Sequence, residues 1–336
     1  MTSTRKLEYI VSVIALMDVL TAVIAVLKAP FPLKVDLGAP TAYISIYVHV
    51  PLAWASYLLF AIAMIGGILY LVKGKDVYEK VTVYATLLGI MYGFGTIVTG
   101  MAWAKESWGA AWNWDPRETG VLLLLLAYLG YFAIRNSIRD PEKRKTISSA
   151  YAIAAFMAVP ISFISAYIGD SLHPTSSQAG SFFGQPQVMM YFIPRVLLAS
   201  ATVIGLVTLL VKGDGKGSAP RIAGGLILIL GILTTIYLVS PYITSHPERV
   251  LDATLAGDKI SSIVTPKGVI KFNPPIDSPV QPASYKGEPT IIGHLVTLNG
   301  NSLNLVIHWS ASFALVTYSI ILGVVLTFVY RLSRNI

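Results

Sequence analysis

Cysteine is absent from this chain of 336 residues, and charged residues make up only 12% of it. Without a thiol, the chain can form no disulfide, bind no metal through thiolates and attach no group through thioethers. The charged fraction lies far below the roughly 25% of an average soluble domain, while 54% of the residues are hydrophobic. These features exclude a soluble globular protein of this length.

Alternation of apolar and polar residues, which a membrane β-barrel requires, is missing from apolar stretches such as 121–127 and 226–233. The apolar residues instead form continuous runs of roughly 20, the length at which an α-helix crosses a hydrocarbon core of about 30 Å. The sequence therefore predicts an all-α integral membrane protein. Eight spans are expected, at residues 7–27, 44–72, 81–102, 119–138, 147–169, 188–211, 221–241 and 304–330.

Basic runs interleaved with aromatic residues, as a nucleic-acid surface needs, are missing although the formal net charge is +8. Lysine and arginine gather near both termini and in the connections 73–80, 135–145 and 212–221, all on one side of the alternating spans. Short cytoplasmic loops are enriched in these residues, so we expect this side and both termini to be cytoplasmic. The first apolar run is long for a signal peptide and lacks a clear cleavage site, so we interpret it as a retained helix of a multi-pass plasma-membrane protein.

The outer side then carries the connections 28–43, 103–118, 170–187 and 242–303. The last connection is too rich in proline for a long helix and contains short β-like runs such as 268–272. It predicts a small external cap between the last two helices. We therefore divide the chain into a membrane bundle (1–241), an external loop or cap (242–303), and a final spanning helix with a cytoplasmic tail (304–336).

The most specific segment is 103–119, WAKESWGAAWNWDPRET, which holds four of the six tryptophans. Tryptophan also forms belts at membrane interfaces, but a belt does not require clustering beside charged residues at fixed positions. Trp108 and Trp112 are four residues apart and are predicted to share a helical face. Such a face would offer a flat aromatic platform to a large planar ligand.

This segment resembles the WWD motif of the haem-handling membrane proteins of cytochrome c biogenesis, a family that includes CcmC, CcmF and CcsA. The matching residues are Trp108, Gly109, Trp112, Trp114, Asp115, Pro116, Arg117, Glu118 and Thr119. The segment WNWDPRET is closest to the CcsA and CcmF branch, whereas the segment YVHVPLAW, around residue 49, is similar to CcmC. Ala111 and Glu118 depart from the usual CcmC pattern, so the branch stays open.

The resemblance implies two histidines that bracket the tryptophan-rich loop and ligate haem iron at the outer surface. The candidates are His49 and His173, and neutral imidazole is a good axial ligand for haem iron. The cofactor implied is a non-covalent, b-type haem. The expected haem-binding residues beside these two ligands are Trp103, Trp108, Gly109, Trp112, Trp114, Asp115 and Arg117.

Arg117 is the preferred cation for the haem propionates, and its alternative is a salt bridge to Asp115 or Glu118. Looser candidates for the same role are Lys34, Lys105 and Arg195. Two ionisable residues lie inside predicted spans, and the sequence does not decide between their possible roles. His308, in the last span, is a candidate for a further haem ligand or a hydrogen bond, and Asp18, in the first span, could pair, be protonated or line a passage.

The resemblance implies a protein that presents haem to a haem chaperone or to apocytochrome c, together with other maturation subunits in the bilayer. The sequence shows no arrangement of nucleophile, base and orienting acid, so no catalytic residue is predicted. The chain would at most be the haem-holding part of a haem lyase complex. One alternative is a b-type haem subunit of a respiratory complex that exchanges electrons with quinone, and another is a solute transporter.

Overall fold

The computed structural model describes residues 2–29, 34–35, 40–212, 218–245, 248–257, 259–277, 283–285, 288–290, 295–299, 302–306 and 309–332. Its α-helices are α1 (Ser3–Lys28), α2 (Ile46–Lys73), α3 (Asp76–Trp108), α4 (Pro116–Ser137), α5 (Pro141–Ala155), α6 (Ala158–Ile164), α7 (Ser176–Phe183), α8 (Pro186–Lys212), α9 (Ala219–Ser245) and α10 (Trp309–Leu332). Short 3₁₀ turns precede α2 (Pro40–Ser45) and follow α6 (Ser165–Tyr167).

Within the described residues, eight helical stretches are long and apolar enough to cross a membrane, which confirms the predicted number and the helical fold. The fifth stretch, Pro141–Tyr167, combines α5, α6 and the turn that follows them. The third ends later than predicted, because α3 continues to Trp108 and stops only where Gly109 adopts a left-handed φ of 84°. Part of the predicted tryptophan-rich loop is therefore helix.

Close packing of small residues holds the bundle together. Lipid chains are as apolar as leucine, so membrane helices associate through tight contact rather than through a hydrophobic driving force. Ala15 and Ala22 of α1, Ala63 of α2 and Ala85 of α3 are all fully buried. α2 packs along α3, α1 packs on α8 and α9, and α10 packs on α9 and α3. The last helix thus returns to the same bundle.

A buried ion pair joins three of these helices. The Arg195 guanidinium on α8 binds the Asp18 carboxylate on α1, and the Tyr318 hydroxyl on α10 donates to the same carboxylate. Arg195 Nε also donates to the carbonyl of Tyr47, at 3.0 Å. Of the roles open to Asp18, pairing is the one observed. The looser expectation that Arg195 meets a haem propionate was wrong, because this side chain is fully buried against Asp18.

The excursion between α9 and α10 is built from strands, in agreement with the β-like runs of the sequence. The chain's nine short strands are β1 (Lys34–Val35), β2 (Glu248–Arg249), β3 (Asp252–Ala256), β4 (Lys259–Thr265), β5 (Gly268–Asp277), β6 (Ala283–Tyr285), β7 (Glu288–Thr290), β8 (Leu295–Asn299) and β9 (Ser302–Val306), as far as the chain is described. They form three sheets, ordered β1-β6-β7, β2-β8-β9 and β3-β4-β5. Ile260 and Ile263 of the last sheet form a small core with Val250, which precedes β3.

Candidate functional site

One end of the bundle encloses a cavity of about 570 Å³. Its walls come from the first turns of α2, α4 and α8, the last turns of α3, the turn after α6, the residues 173–175 and helix α7. Ligand sites typically have volumes of roughly 300–1,000 Å³ and mainly apolar linings with a few polar groups. The lining here fits that description, because its polar members include His49, His173 and Arg117 among many aromatic side chains.

His49 lies in the first turn of α2, and both the half-buried ring and its neighbour Val50 line the cavity. The Nδ1 atom of its ring is 2.8 Å from the Thr99 hydroxyl on α3. The ring also lies against Gly100, where a Cβ atom would be 3.1 Å from His49 Cε1. Helix α3 therefore supports this ring directly.

His173 lies in the connection between the fifth span and α7, and it is half-buried in the same cavity wall. Its Nδ1 atom is 3.2 Å from the carbonyl oxygen of Pro174. A carbonyl only accepts, so Nδ1 carries the proton and the Nε2 lone pair is available. Burial, reinforced by the Arg117 charge, lowers the pKa of His173 to about 4. The imidazole is therefore neutral at neutral pH, the form that binds metals.

Asp115 holds the loop that carries His173. The aspartate caps α4 by accepting from the backbone N–H of Arg117 at 2.8 Å, and Pro116 occupies the first helical position. The same buried carboxylate accepts from the Leu172 N–H at 2.6 Å and from the Ser171 hydroxyl at 2.9 Å. It thus ties the tryptophan-rich segment to the histidine, but it does not line the cavity.

The tryptophans divide into two pairs. Trp103 and Trp108, on the last turns of α3, pack edge to face with ring centroids 4.8 Å apart, and Trp103 lies 6.0 Å from the His173 ring. Trp112 packs instead against Trp114, at 5.6 Å. The prediction that Trp108 and Trp112 share a helical face was wrong, because α3 ends at Trp108. Trp103, Trp108 and Trp112 line the cavity.

Two of the predicted binding residues lie outside the cavity lining, as Asp115 does. Trp114 is 70% exposed, and its φ of 58° places it in the left-handed region. Gly109 ends α3 and accepts a hydrogen bond from Lys105 through its carbonyl, at 2.7 Å. Both shape the segment between α3 and α4, and neither contacts the cavity. Lys105 is likewise engaged at the helix end.

Arg117 lines the cavity, and backbone carbonyls of α6 hold its side chain. Its Nη1 atom donates to the carbonyls of Ser162, at 3.0 Å, and Phe163, at 2.8 Å, and its guanidinium stacks 5.0 Å from the Phe163 ring. In the described part of the chain, it forms no ion pair with Asp115 or Glu118. The salt-bridge alternative therefore does not describe this arginine.

Most of the aromatic residues in the cavity wall are not predicted by the sequence. These cavity residues are Tyr43, Trp54, Tyr57, Phe163, Tyr167, Phe182, Phe183 and Phe192. Helical spacing could have found Tyr57, which follows His49 by eight residues on the same face of α2. An aromatic residue in α7 or α8 carries no such signal, because the sequence pattern is the same whether its side chain faces lipid or a cavity. His308, His246, His294 and the side chain of Lys34 lie outside the described residues.

With this geometry established, comparison with known proteins identifies the family. The sequence model of the CcmC family, heme exporter protein C, matches residues 2–214. The chain belongs to the CcmC family. This is one of the branches that the sequence left open, and the matched range contains every wall of the cavity. Helices α9 and α10 and the strands between them lie beyond that range.

Individual relatives agree with this family. The chain is 33% identical over 156 residues to a cytochrome c biosynthesis ccmC-like mitochondrial protein of Marchantia polymorpha, covering 46% of this chain and 65% of the relative. It is 28% identical over 163 residues to heme exporter protein C of Bradyrhizobium diazoefficiens, covering 48% and 62%. With heme exporter protein C of Escherichia coli K12 it shares 28% identity over 143 residues, covering 43% and 58%. The chain spans less than two thirds of each of these three relatives.

Proposed function

We propose that this CcmC-family chain binds haem non-covalently in the cavity and presents it for cytochrome c maturation. The observation that carries the proposal is the presence of two imidazoles, His49 and His173, in the wall of one aromatic cavity. Each has its Nδ1 atom held by a protein oxygen, a common arrangement for metal-ligating histidines. The Nε2 atoms of both rings would be available to hold the iron of a non-covalent, b-type haem.

The remaining cavity residues suit the rest of a porphyrin. The rings of Trp103, Trp108 and Trp112 would lie against its apolar surface, and the Arg117 guanidinium would pair with a propionate. Trp114, Gly109 and Asp115 would act by shaping the segment that holds these groups. The cavity lining thus offers aromatic surface, a cation and two imidazoles, all of which would suit haem.

We further propose that the cavity faces the outer side of the plasma membrane. In the alternation of spans along the sequence, the basic connections 73–80, 135–145 and 212–221 fall on the side opposite to the tryptophan-rich segment, and the positive-inside rule predicts that this side is cytoplasmic. Both termini would be cytoplasmic. Strands β2 to β9, from Glu248 to Val306, would form the external cap, so the cap would begin and end a few residues later than the predicted bounds 242 and 303.

The haem would pass from this site to a haem chaperone or to apocytochrome c, with other maturation subunits as membrane partners. The relatives are named for heme export and for cytochrome c biosynthesis, and both names support this proposal. If His49 and His173 held the haem through its iron alone, the porphyrin would remain available for transfer to a recipient protein.

Absorption spectroscopy of the purified chain tests the proposal. We expect a haem Soret band that is lost or strongly weakened in His49→Ala and His173→Ala, and retained in His308→Ala. If His308→Ala alone removes the haem, a respiratory b-type subunit is supported instead. If the parent protein, supplied with haemin, takes up no haem, the proposal fails and a solute transporter is favoured.

A further inference from the structure

We propose that Thr99 is a positioning residue for His49: its hydroxyl fixes which ring nitrogen carries the proton and how the ring faces the cavity. This inference deepens the proposed function and rests on it, since it concerns a ligand of the haem. It adds a residue outside the tryptophan-rich segment and outside the histidine pair. Thr99 lies on α3, fifty residues from His49 in the sequence.

The direction of the hydrogen bond follows from the partners of Thr99. Its hydroxyl lies 2.8 Å from the carbonyl oxygen of Gly95 and 3.3 Å from that of Thr96, and both can only accept. The single hydroxyl proton is therefore donated within α3. Towards His49, the hydroxyl oxygen of Thr99 can therefore only accept a hydrogen bond. The donor is Nδ1 of the imidazole, 2.8 Å away, so Nδ1 carries the proton.

The consequence for His49 is a defined tautomer. With the proton on Nδ1, the Nε2 atom carries the lone pair that a metal needs. Thr99 is fully buried, so water does not compete for its oxygen. A buried hydrogen bond of this kind orients a ligating histidine and raises its basicity.

Gly100 completes the support for the ring. A Cβ atom at this position would lie 3.1 Å from His49 Cε1, closer than an ordinary carbon contact. The bare backbone of Gly100 therefore lets the imidazole approach α3 closely enough for its bond to Thr99. Two consecutive residues of one rigid helix hold the ring, one by a hydrogen bond and one by close approach.

The second histidine reaches the same tautomer by another route. His173 Nδ1 donates to the backbone carbonyl of Pro174, which a side-chain substitution does not remove. His49 depends on a side chain, so its support can be deleted without touching either ligand. This asymmetry makes Thr99 the informative position.

Substitution of Thr99 by valine removes the hydroxyl with little change in shape, and Thr99→Ser retains it. Thr82→Val is the matched control, because Thr82 is a fully buried threonine of the same helix. Its hydroxyl donates to the backbone carbonyl of Tyr78, at 3.0 Å. Apo proteins are titrated with haemin, and the Soret band and electron paramagnetic resonance spectrum are recorded. We expect Thr99→Val to bind haemin roughly 10–100-fold more weakly and to shift from six-coordinate low-spin towards high-spin haem. Thr99→Ser and Thr82→Val should keep the parent spectrum.

A measurement on the haem-free protein addresses the tautomer itself. The chain has five histidines, so selective ¹⁵N-histidine labelling gives a spectrum that single substitutions can assign. We expect parent His49 to be protonated on Nδ1, and a mixture of tautomers in Thr99→Val. A parent His49 protonated on Nε2 overturns the inference, even if Thr99→Val does not fold.

The two proposals fail in different ways. If His49→Ala leaves haemin affinity and spectrum unchanged, the proposed ligation is wrong. If His49→Ala changes them while Thr99→Val matches the parent, the ligation stands and Thr99 has no positioning role.

Discussion

Among the regions where polar side chains lie inside this apolar bundle, two differ in the partners of those side chains. Around Asp18, the carboxylate, a guanidinium and a tyrosine hydroxyl bind one another across α1, α8 and α10. Around the cavity, His49 and His173 each use one ring nitrogen within the protein, through Thr99 and Pro174. Polar groups that satisfy each other hold membrane helices together, whereas groups that keep a lone pair beside a cavity form a site for a ligand.

The largest effect is expected from breaking the ion pair of the first region. Arg195→Leu leaves the Asp18 carboxylate buried without its cation, and removing one partner of a buried pair costs about 3–5 kcal/mol. Thermal unfolding in detergent should show a marked loss of stability. The double variant Asp18→Asn with Arg195→Leu should recover part of that loss. A single variant as stable as the parent would show that the cluster does not hold the helices.

The next largest effect is expected from Asp115→Ala, and comparison with Asp140→Ala separates its effect on stability from its effect on ligand binding. Asp115 and Asp140 each cap a helix that begins with proline, and Asp140 accepts from the Lys143 N–H at 2.8 Å. Either change to alanine should cost roughly 0.5–2 kcal/mol through the lost cap. Only Asp115→Ala should also weaken haemin binding, by roughly 10-fold or more, because only Asp115 holds the loop of His173. Haemin titration and thermal unfolding of the two variants give the comparison.

Equal haemin affinity in Asp115→Ala and Asp140→Ala would contradict this assignment. It would mean that the position of His173 does not depend on the bonds from Asp115 to Ser171 and Leu172.

A comparable effect on haemin binding is expected from Arg117→Gln. A hydrogen bond to a charged group contributes about 1.5–3 kcal/mol, so haemin affinity should fall by at least roughly 10-fold. The dimethyl ester of haemin has no free propionate, and its affinity should be the same for the parent and for Arg117→Gln. Titrations with both porphyrins test this. An equal loss for the ester would indicate that Arg117 acts through its bonds to Ser162 and Phe163 instead.

The smallest effect is expected at an exposed ion pair. Lys145 binds Asp76 at 2.8 Å, and the Asp76 side chain is 66% exposed. Solvent screens such a pair, so Asp76→Asn should lower the free energy of unfolding by less than about 1 kcal/mol. Haemin affinity should not change. A loss comparable to that of Arg195→Leu would remove the distinction between buried and exposed pairs.

The sequence was sufficient for the helices but not for their contacts. Hydrophobic runs gave eight spans, because each must cover the same membrane thickness. The helix ends were less accurate, since tryptophan is compatible with helix or loop and only Gly109 marks where α3 stops. The pairing of Asp18 with Arg195 joins residues 177 positions apart, and no local pattern predicts it.

The candidate site was predicted best where a motif marked it. His49, His173 and Arg117 could be named in advance and line one cavity. The roles of Asp115 and Thr99 could not, because each depends on a loop or helix brought near by the fold. The motif groups Trp114 with the other tryptophans, yet its side chain is exposed, since residue type alone does not show which way a side chain faces.

The central claim is that one iron receives both imidazoles. Electron–nuclear double resonance of the ferric haem complex, with only histidine labelled by ¹⁵N, measures this directly. We predict couplings to two histidine nitrogens, one of which disappears in His49→Ala and the other in His173→Ala. Couplings to two histidine nitrogens that persist in both variants would contradict the claim.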